Sequence, residues 1–366
     1  MVGHNIHAFH DAPLPTAAHR NRLPILQTTP MKVFRGVQHA NLASECAVTI
    51  GNFDGVHRGH QAMLALLRAE AAQRGIQSCV LTFEPHPRDY FAGATGQPDR
   101  APARIASVRD KLLDLAHCGI DQTVVMPFNA HFAALAPREF IDSILVQGLR
   151  ARYVLVGDDF RFGAGRAGDY AMLDRAGQAA AFDVARMNSY EVHGLRVSSS
   201  AVRDALAEGR MADAQQLLGR PYRISGHVVH GRKLGRQLGF ATLNLRFSHW
   251  KPAASGIFVV LVHGLSVNPV PGVANLGVRP SLDPNDVNGG RVLLETHCLD
   301  WPAAWGQDHG YGKIIRVELL HKLHDELRYD GLEALERGIA GDRDAARAYF
   351  AETYAQTHRQ TTRDRI

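Results

Sequence analysis

Two histidines three residues apart, His57 and His60, follow a short apolar run and a glycine turn in VTIGNFDGVHRGHQAML, residues 48–64. If Val48 to Gly51 is a strand and His57 opens a helix, both imidazoles stand on one face of a helix start. Free backbone N–H groups at such a start attract phosphate, and Gly55 and Gly59 let a nucleotide come close to the chain. Imidazoles placed there donate hydrogen bonds to phosphate oxygens whose charge grows in a pentacovalent transition state. A zinc pair and plain surface histidines are the competing readings. No cysteine has the spacing for the first, and the strand–helix junction argues against the second.

Two further stretches carry chemistry. In VSSSAVRDAL, residues 197–206, Ser199 and Ser200 stand where helix N-caps belong and Arg203 falls in the first turn. Hydroxyls, amides and a guanidinium there converge on one anion, although an ordinary capped helix has the same pattern. In GHVVHGRKLGRQLGFATLNL, residues 226–245, Gly231, Gly235 and Gly239 give a pliable backbone and Arg236 a positive side chain. Thr242 and Asn244 offer two oxygens on one side of an extended segment, a donor pair suited to Mg²⁺ bridging phosphates.

The elements that must hold these residues follow from periodicity. The runs AVTIG, CVLTF, TVVMPF and YVLVG are apolar at consecutive positions, as strands covered on both faces require. HQAMLALLRAEAAQRG and RIASVRDKLLDLAHCG repeat apolar residues at three and four, and Gly75, Gly119 and Gly177 are placed to end helices. Residues 45 to about 190 therefore read as an open, doubly wound parallel sheet, an α/β architecture. Past residue 222 the pattern becomes SGHVVHG, GIFVVLVHG, RVLLETHCL and GKIIRVELL, separated by turn residues. That is the pattern of a small antiparallel β-barrel, followed by an amphipathic C-terminal helix near 331–354. The boundaries expected are a mobile tail over 1–30, a first domain over 31–219 and a second over 220–366.

Composition narrows the classes. The 366 residues are 45% apolar and 21% charged, enough for two domains with cores of their own. The net charge of +5 is scattered rather than gathered with aromatics, so it does not by itself indicate a nucleic-acid surface. No apolar run approaches the roughly 18–20 residues that cross a bilayer, so no membrane partner is expected. Cys46, Cys79, Cys118 and Cys298 lie far apart, as reduced thiols in a cytoplasmic protein do.

The motifs together resemble a known family. GNFDGVHRGH, TFEPHP (82–87), VGDDFRFGAGRAGD (156–169) and VSSSAVRDAL occur in the order seen in the bacterial bifunctional riboflavin kinase/FAD synthetase family, whose first domain is an H-x-G-H nucleotidylyltransferase. The resemblance implies that His57, His60 and Arg203 act on the phosphates of ATP, with Ser199 and Ser200 binding them. It carries nucleotide binding over to Gly51, Phe53, Asp54, Gly55 and Asp159. The segment 226–245 resembles the kinase motif, which makes Gly231, Gly235, Arg236, Gly239, Thr242 and Asn244 ATP contacts and Thr242 and Asn244 the Mg²⁺ ligands. GVANLGVRPSL and LLETHCLDW match further kinase elements, and Glu295 becomes the general base for the ribityl hydroxyl. Ala241 and His324 stand where the family favours proline and arginine.

The implied activity is phosphorylation of riboflavin to FMN and adenylylation of FMN to FAD, with ATP as co-substrate and Mg²⁺ in both domains. Riboflavin, FMN, FAD and ATP are the expected partners, with no nucleic acid and no membrane. A monofunctional FMN adenylyltransferase with a non-catalytic barrel, and a basic nucleic-acid-binding protein on the same fold, are the rival readings.

Overall fold

The computed structural model describes residues 30–363 apart from 189, 193–194, 231–241, 248, 250, 279–291 and 307. The expected tail, except Pro30, lies outside the described residues, and Met31–Ile366 pack as one unit. Strands β1 (Lys32–Arg35), β2 (Cys46–Ile50), β3 (Gln77–Glu84), β4 (Gln122–Pro127), β5 (Ala151–Gly157) and β6 (Asp183–Met187) form a parallel sheet in the order β1-β4-β3-β2-β5-β6. Every residue of β2 is buried, as a central strand covered on both faces must be. Its alternate side chains divide accordingly: Cys46, Val48 and Ile50 join one apolar cluster and Ala47 another.

The crossover helices cover those faces. Helix α1 (Arg58–Gln73) buries Leu64, Leu67 and Ala71, spaced as one helical stripe. With Leu64 and Leu67 at 0% exposure, each stabilises the sheet by about 1.5–3 kcal/mol. It stops at Arg74, and Gly75 follows with φ +67. Helix α2 (Pro87–Ala94) and helix α3 (Val108–His117) come next, and Gly119 follows α3 with φ +75. Gly75 and Gly119 thus end helices as expected, because a left-handed residue closes the last turn.

Gly177 does not. It lies inside α4 (Tyr170–Ala180), and the left-handed residue is Ala181, at φ 58. A Cβ on Gly177 would stand 2.5 Å from the Phe182 carbonyl oxygen, so that glycine answers to close packing and not to a cap. The sheet also starts earlier than residue 45. β1 is an edge strand of four residues with mostly exposed side chains, and such a strand leaves no apolar run in the sequence.

Helices α5 (Ser199–Ala207) and α6 (Met211–Leu218) lead into the barrel. A short antiparallel pair, β7 (Glu191–Val192) and β8 (Leu195–Arg196), precedes them. The barrel strands are β9 (Tyr222–Val229), β10 (Leu243–Arg246), β11 (Gly256–His263), β12 (Val270–Val278), β13 (Val292–Cys298) and β14 (Ile314–His324). They close in the order β10-β13-β12-β11-β14-β9, and helix α7 (Leu332–Arg363) packs Ala346, Tyr349 and Phe350 against Val259 and Val273. Sheet and barrel are not independent bodies: Val202, Leu206 and Leu218 from α5 and α6 share one cluster with Ile224, Leu245 and Phe258 of the barrel.

Candidate functional site

Beyond β2 the chain turns one way to β3 and β4, while β5 and β6 lie on the other side. Open α/β sheets bind ligands outside the carboxyl ends of such diverging strands. A cavity of about 350 Å³ opens there, lined by His57, His60, Gly157, Asp159, Ser199 and Arg203 among others. Residues drawn from three separate sequence motifs therefore meet in one crevice.

The turn that supplies the histidines is backbone-strained. Phe53, Gly55 and Val56 have φ of 49, 87 and 40. A β-branched residue in that region costs about 1–2 kcal/mol and persists only where its surroundings fix it. Gly55 cannot be replaced without movement, since a Cβ would lie 2.7 Å from Ile105 Cγ2. Gly51 leaves room for the Phe53 ring, whose Cε2 would stand 3.1 Å from an added Cβ. Phe53 is itself buried, its ring 4.9 Å from that of His60.

His57 caps α1, its Nδ1 accepting from the His60 backbone N–H at 3.3 Å. An accepting Nδ1 places the His57 proton on Nε2, ready to donate. The two rings stack at 3.7 Å between centroids with 15° between planes. Gly59 permits this, because a Cβ there would press His57 Cε1 at 3.3 Å. Burial, helped by Arg203 and Arg220 and opposed by Asp54, pushes His57 down to about 4. Burial and the neighbouring His57 hold His60 well below its ordinary value. Both are neutral donors at neutral pH.

Asp54, offered by the sequence as a nucleotide contact, is committed to protein. It is 3% exposed, and its Oδ1 accepts from the N–H of Ile105 at 3.2 Å and of Ala106 at 3.1 Å, while Arg203 Nη2 donates to Oδ2 at 2.7 Å. Burial alone would raise its pKa, but Arg104, Arg203 and the Ala106 N–H outweigh burial and hold the carboxyl below the ordinary 3.8. Arg203 Nε donates to Ala103 O at 2.6 Å, which leaves Nη1 for a ligand among the described residues.

The serines are displaced by one position from the expected caps. Ser198 is the N-cap of α5, accepting from Ala201 N–H at 3.2 Å. Ser199 and Ser200 occupy the first turn and Arg203 the second, because any of three successive serines satisfies the cap pattern in sequence. Ser199 Oγ donates to Asp54 O at 3.1 Å, and Ser200 is exposed beside the cavity.

In the barrel, Gly231, Gly235, Arg236, Gly239 and Ala241 lie outside the described residues. Thr242 is half-buried just before β10, and Asn244 is 4% exposed within it. Asn244 pairs across strands with Glu295, which pairs in turn with Asn275. Directly opposed residues share a sheet face, so the three polar side chains form one row. Asn244 Oδ1 and Asn275 Oδ1 are buried without a hydrogen-bond partner among the described residues. Buried amide oxygens of that kind fit a hard cation or a ligand hydroxyl.

Other site residues left little trace in the sequence. Arg88 in the first turn of α2, Tyr190 in a loop and Arg196 in the short strand β8 also line the crevice, each isolated in the sequence. A ladder of aromatic rings runs along the carboxyl ends of the strands: Phe83 lies 5.9 Å from Phe128, Phe128 5.7 Å from Phe91, and Phe128 5.5 Å from Phe132. Phe91 is 51% exposed. The available signal was the position of Phe83 and Phe128 at strand ends. Phe162 is buried core, while Phe160 is half-buried against it.

The chain matches the FAD synthetase family model over residues 39–201 and the riboflavin kinase model over 218–350. It is 43% identical over 325 residues to the bifunctional riboflavin kinase/FMN adenylyltransferase of Escherichia coli strain K12, covering 88% of this chain and 99% of that one. Against the enzyme of the same name from Pseudomonas fluorescens it is 43% identical over 324 residues, covering 88% and 98%. Against that of Haemophilus influenzae the identity is 39% over 321 residues, covering 87% and 99%. A solved Streptococcus pneumoniae structure entitled macrolide-efflux protein shares the fold, with TM-score 0.69 and 24% identity over 87% of this chain and 99% of that one.

Proposed function

The chain belongs to the bifunctional riboflavin kinase/FMN adenylyltransferase family, and on that premise we propose how its own residues divide the two reactions. It is an ATP-dependent enzyme that phosphorylates riboflavin to FMN and adenylylates FMN to FAD, releasing pyrophosphate. We assign the adenylyl transfer to residues 31–219 and the kinase to 220–366; the stop of α6 at a left-handed Gly219 and the start of β9 at Tyr222 support that division.

The observation that carries the first assignment is the stacked, neutral His57–His60 pair at the diverging strands. An FMN phosphate oxygen attacks the α-phosphorus of ATP, and the bond to pyrophosphate breaks. The nucleophile is already an anion, so no base is needed; positioning and charge stabilisation supply the rate. His57 Nε2–H donates to a phosphate oxygen, Arg203 Nη1 offers positive charge, and the open amides of α5 with Ser199 and Ser200 receive the rest. Asp54 acts through Arg203, holding its guanidinium in place. Asp159 and Gly51 border the nucleotide. The ring of Phe91, set edge-to-face against Phe128, offers an apolar surface for the flavin, supported by the exposure of Phe91.

In the barrel, Glu295 accepts the proton of the ribityl hydroxyl as its oxygen attacks the γ-phosphorus of ATP, and the bond from that phosphorus to ADP breaks. The orphaned Asn244 oxygen fits a magnesium ion, which Asn244 and Thr242 would hold; when bound, the ion neutralises charge on the transferred phosphoryl group. Gly231, Gly235, Arg236 and Gly239 remain the proposed ATP loop. Among the described residues no helix is long and apolar enough to cross a membrane. Free thiols at Cys46, Cys79, Cys118 and Cys298 support a cytoplasmic setting.

Chromatography of riboflavin incubated with ATP, Mg²⁺ and the purified chain tests the reading. FMN and then FAD are expected. Accumulation of FMN alone, or conversion of supplied FMN without any turnover of riboflavin, would remove one of the two assignments.

A further inference from the structure

The strained turn that delivers His57 is gripped from behind by an arginine outside both proposed sites. Arg220 stands between α6 and β9. Its Nη2 donates to Gly55 O at 2.8 Å, and its Nη1 donates to Leu218 O at 3.1 Å and reaches Val56 O at 3.5 Å. The Gln61 side chain completes the grip, with Nε2 donating to Val56 O and to Leu218 O, both at 2.8 Å. Gly55 and Val56 are the two left-handed residues immediately before His57, the second of them β-branched. Backbone in that region stays put only where external bonds over-determine it.

The grip continues into the barrel. Asp114 of α3, a nearly buried carboxylate, accepts from Arg220 Nη2 through one oxygen and from Arg223 Nη2 through the other. Arg223 is a residue of β9, the first barrel strand. One carboxylate thus joins the guanidinium that holds the His57 turn to a guanidinium built into the barrel wall.

We propose that Arg220 is a positioning residue for adenylyl transfer, setting the Gly55 and Val56 carbonyls and through them His57, and that Asp114 and Arg223 anchor this setting to the barrel. The inference rests on the reading of the crevice as the adenylyl-transfer site. A guanidinium suits the task because its rigid fork reaches three carbonyls and a carboxylate at once, which a lysine ammonium on a flexible stem cannot do. Its charge also works on the histidine: after burial, Arg203 and Arg220 disfavour protonation of His57, against the pull of Asp54.

The test uses the full chain with Arg220→Gln, Arg220→Lys and Arg223→Gln, measuring FAD formation from FMN, FMN formation from riboflavin, and melting temperature. Arg220→Gln should lower kcat for FAD formation by about tenfold to a hundredfold, the range a misplaced catalytic group produces. KM for ATP and the kinase kcat should stay within about twofold. The acid limb of kcat/KM for adenylyl transfer should move upward, because one of the charges facing His57 has gone. Arg220→Lys should lose kcat without moving that limb, which separates the fork from the charge. Arg223→Gln should reduce FAD formation less than Arg220→Gln. If Arg220→Gln melts too low to assay, the lysine variant decides alone. Wild-type kcat in Arg220→Lys, or equal loss of both activities in either Arg220 variant, overturns the proposal. A wild-type chain that makes no FAD from FMN overturns the underlying reading instead, and the proposal with it.

Discussion

Arg203 and Asp54 meet at 2.7 Å beneath the mouth of the crevice, and the same carboxylate takes the N–H groups of Ile105 and Ala106. One aspartate in the histidine loop thereby fixes a guanidinium from α5 and the segment leading into α3. The pair gives the phosphate site a rigid floor.

Asp54→Asn should leave the Arg203 charge partly unmatched in a buried place, at a cost on the order of 3 kcal/mol. The folded pKa of Asp54 lies below 3.8, so its contribution is complete above 3.8 and is lost as the pH falls through the lower folded value. Melting temperatures of wild type and variant should differ at neutral pH and converge in acid. A constant difference down to about pH 2 would show that the carboxylate charge is not what stabilises.

The histidine pair gives a kinetic test. His57→Ala with His60→Ala should abolish FAD formation and leave FMN formation from riboflavin intact. In the wild type, kcat/KM for adenylyl transfer reports the free enzyme, so its acid limb for His57 should lie at about 4 rather than near 6.5. A limb near the ordinary value would mean that the pair ionises freely.

Glu295→Gln keeps the shape of the side chain but cannot take a proton. Kinase turnover should fall by a factor on the order of 10² or more, with FMN still converted to FAD. Normal kinase turnover in that variant would remove Glu295 from the mechanism.

His324 clasps α7 to the barrel. Its Nε2 lies 2.7 Å from Asp342 Oδ1 and its Nδ1 2.7 Å from Asp325 O. Both partners only accept, so the clasp is complete when both ring nitrogens carry protons, the imidazolium then doing with two donors what an arginine would do. Burial pushes its pKa down, but Asp342 and Asp325 raise it above 6.5; Lys322, the other cation at this corner, is paired with Asp325 at 2.5 Å. A raised folded pKa stabilises fully below 6.5 and the benefit disappears as the pH rises through the folded value. The melting temperature of the wild type should therefore exceed that of His324→Gln at about pH 6 and approach it at about pH 9. An unchanged gap at both would exclude the protonated clasp.

Ala181→Gly should stabilise the chain by about 1 kcal/mol by relieving a left-handed alanine at the end of α4. Gly177→Ala should do the reverse by about 1–3 kcal/mol, since its Cβ meets the Phe182 carbonyl. Chemical denaturation measures both.

What could be read from residues alone had a local cause. β2 to β5 and the barrel strands β9, β11, β13 and β14 are apolar runs, and α1 and α3 are stripes closed by glycine. β1 escaped notice because a four-residue strand carries too few positions to show a period, and β10, equally short, was legible only as part of an extended segment carrying Thr242 and Asn244. The segment Phe140–Gly148 is a π-helix burying Phe140, Ile141, Ile144 and Leu145, a winding that an ordinary helical stripe does not distinguish. His57 and His60 were legible because a strand, a turn and a helix start adjoin in sequence. The inward commitment of Asp54 was not, because its partners Ile105, Ala106 and Arg203 come from distant segments. Gly177 showed only that glycine was required, and both a cap and a close approach require it.

The closed barrel fixes an order of events during synthesis. β14 seals it by lying between β11 and β9, so the first barrel strand made waits for the last. Ribosomes deliver about 5–20 residues per second, which puts roughly 5–20 s between the emergence of Tyr222 and that of its partner Leu319. Through that interval β9 and β11 each hold an open edge lined with apolar residues, which is a template for pairing between nascent chains. Chains cut short before Ile314 never lose those edges. Truncated products, and not the finished enzyme, are the species that will cluster on polysomes and draw on chaperones.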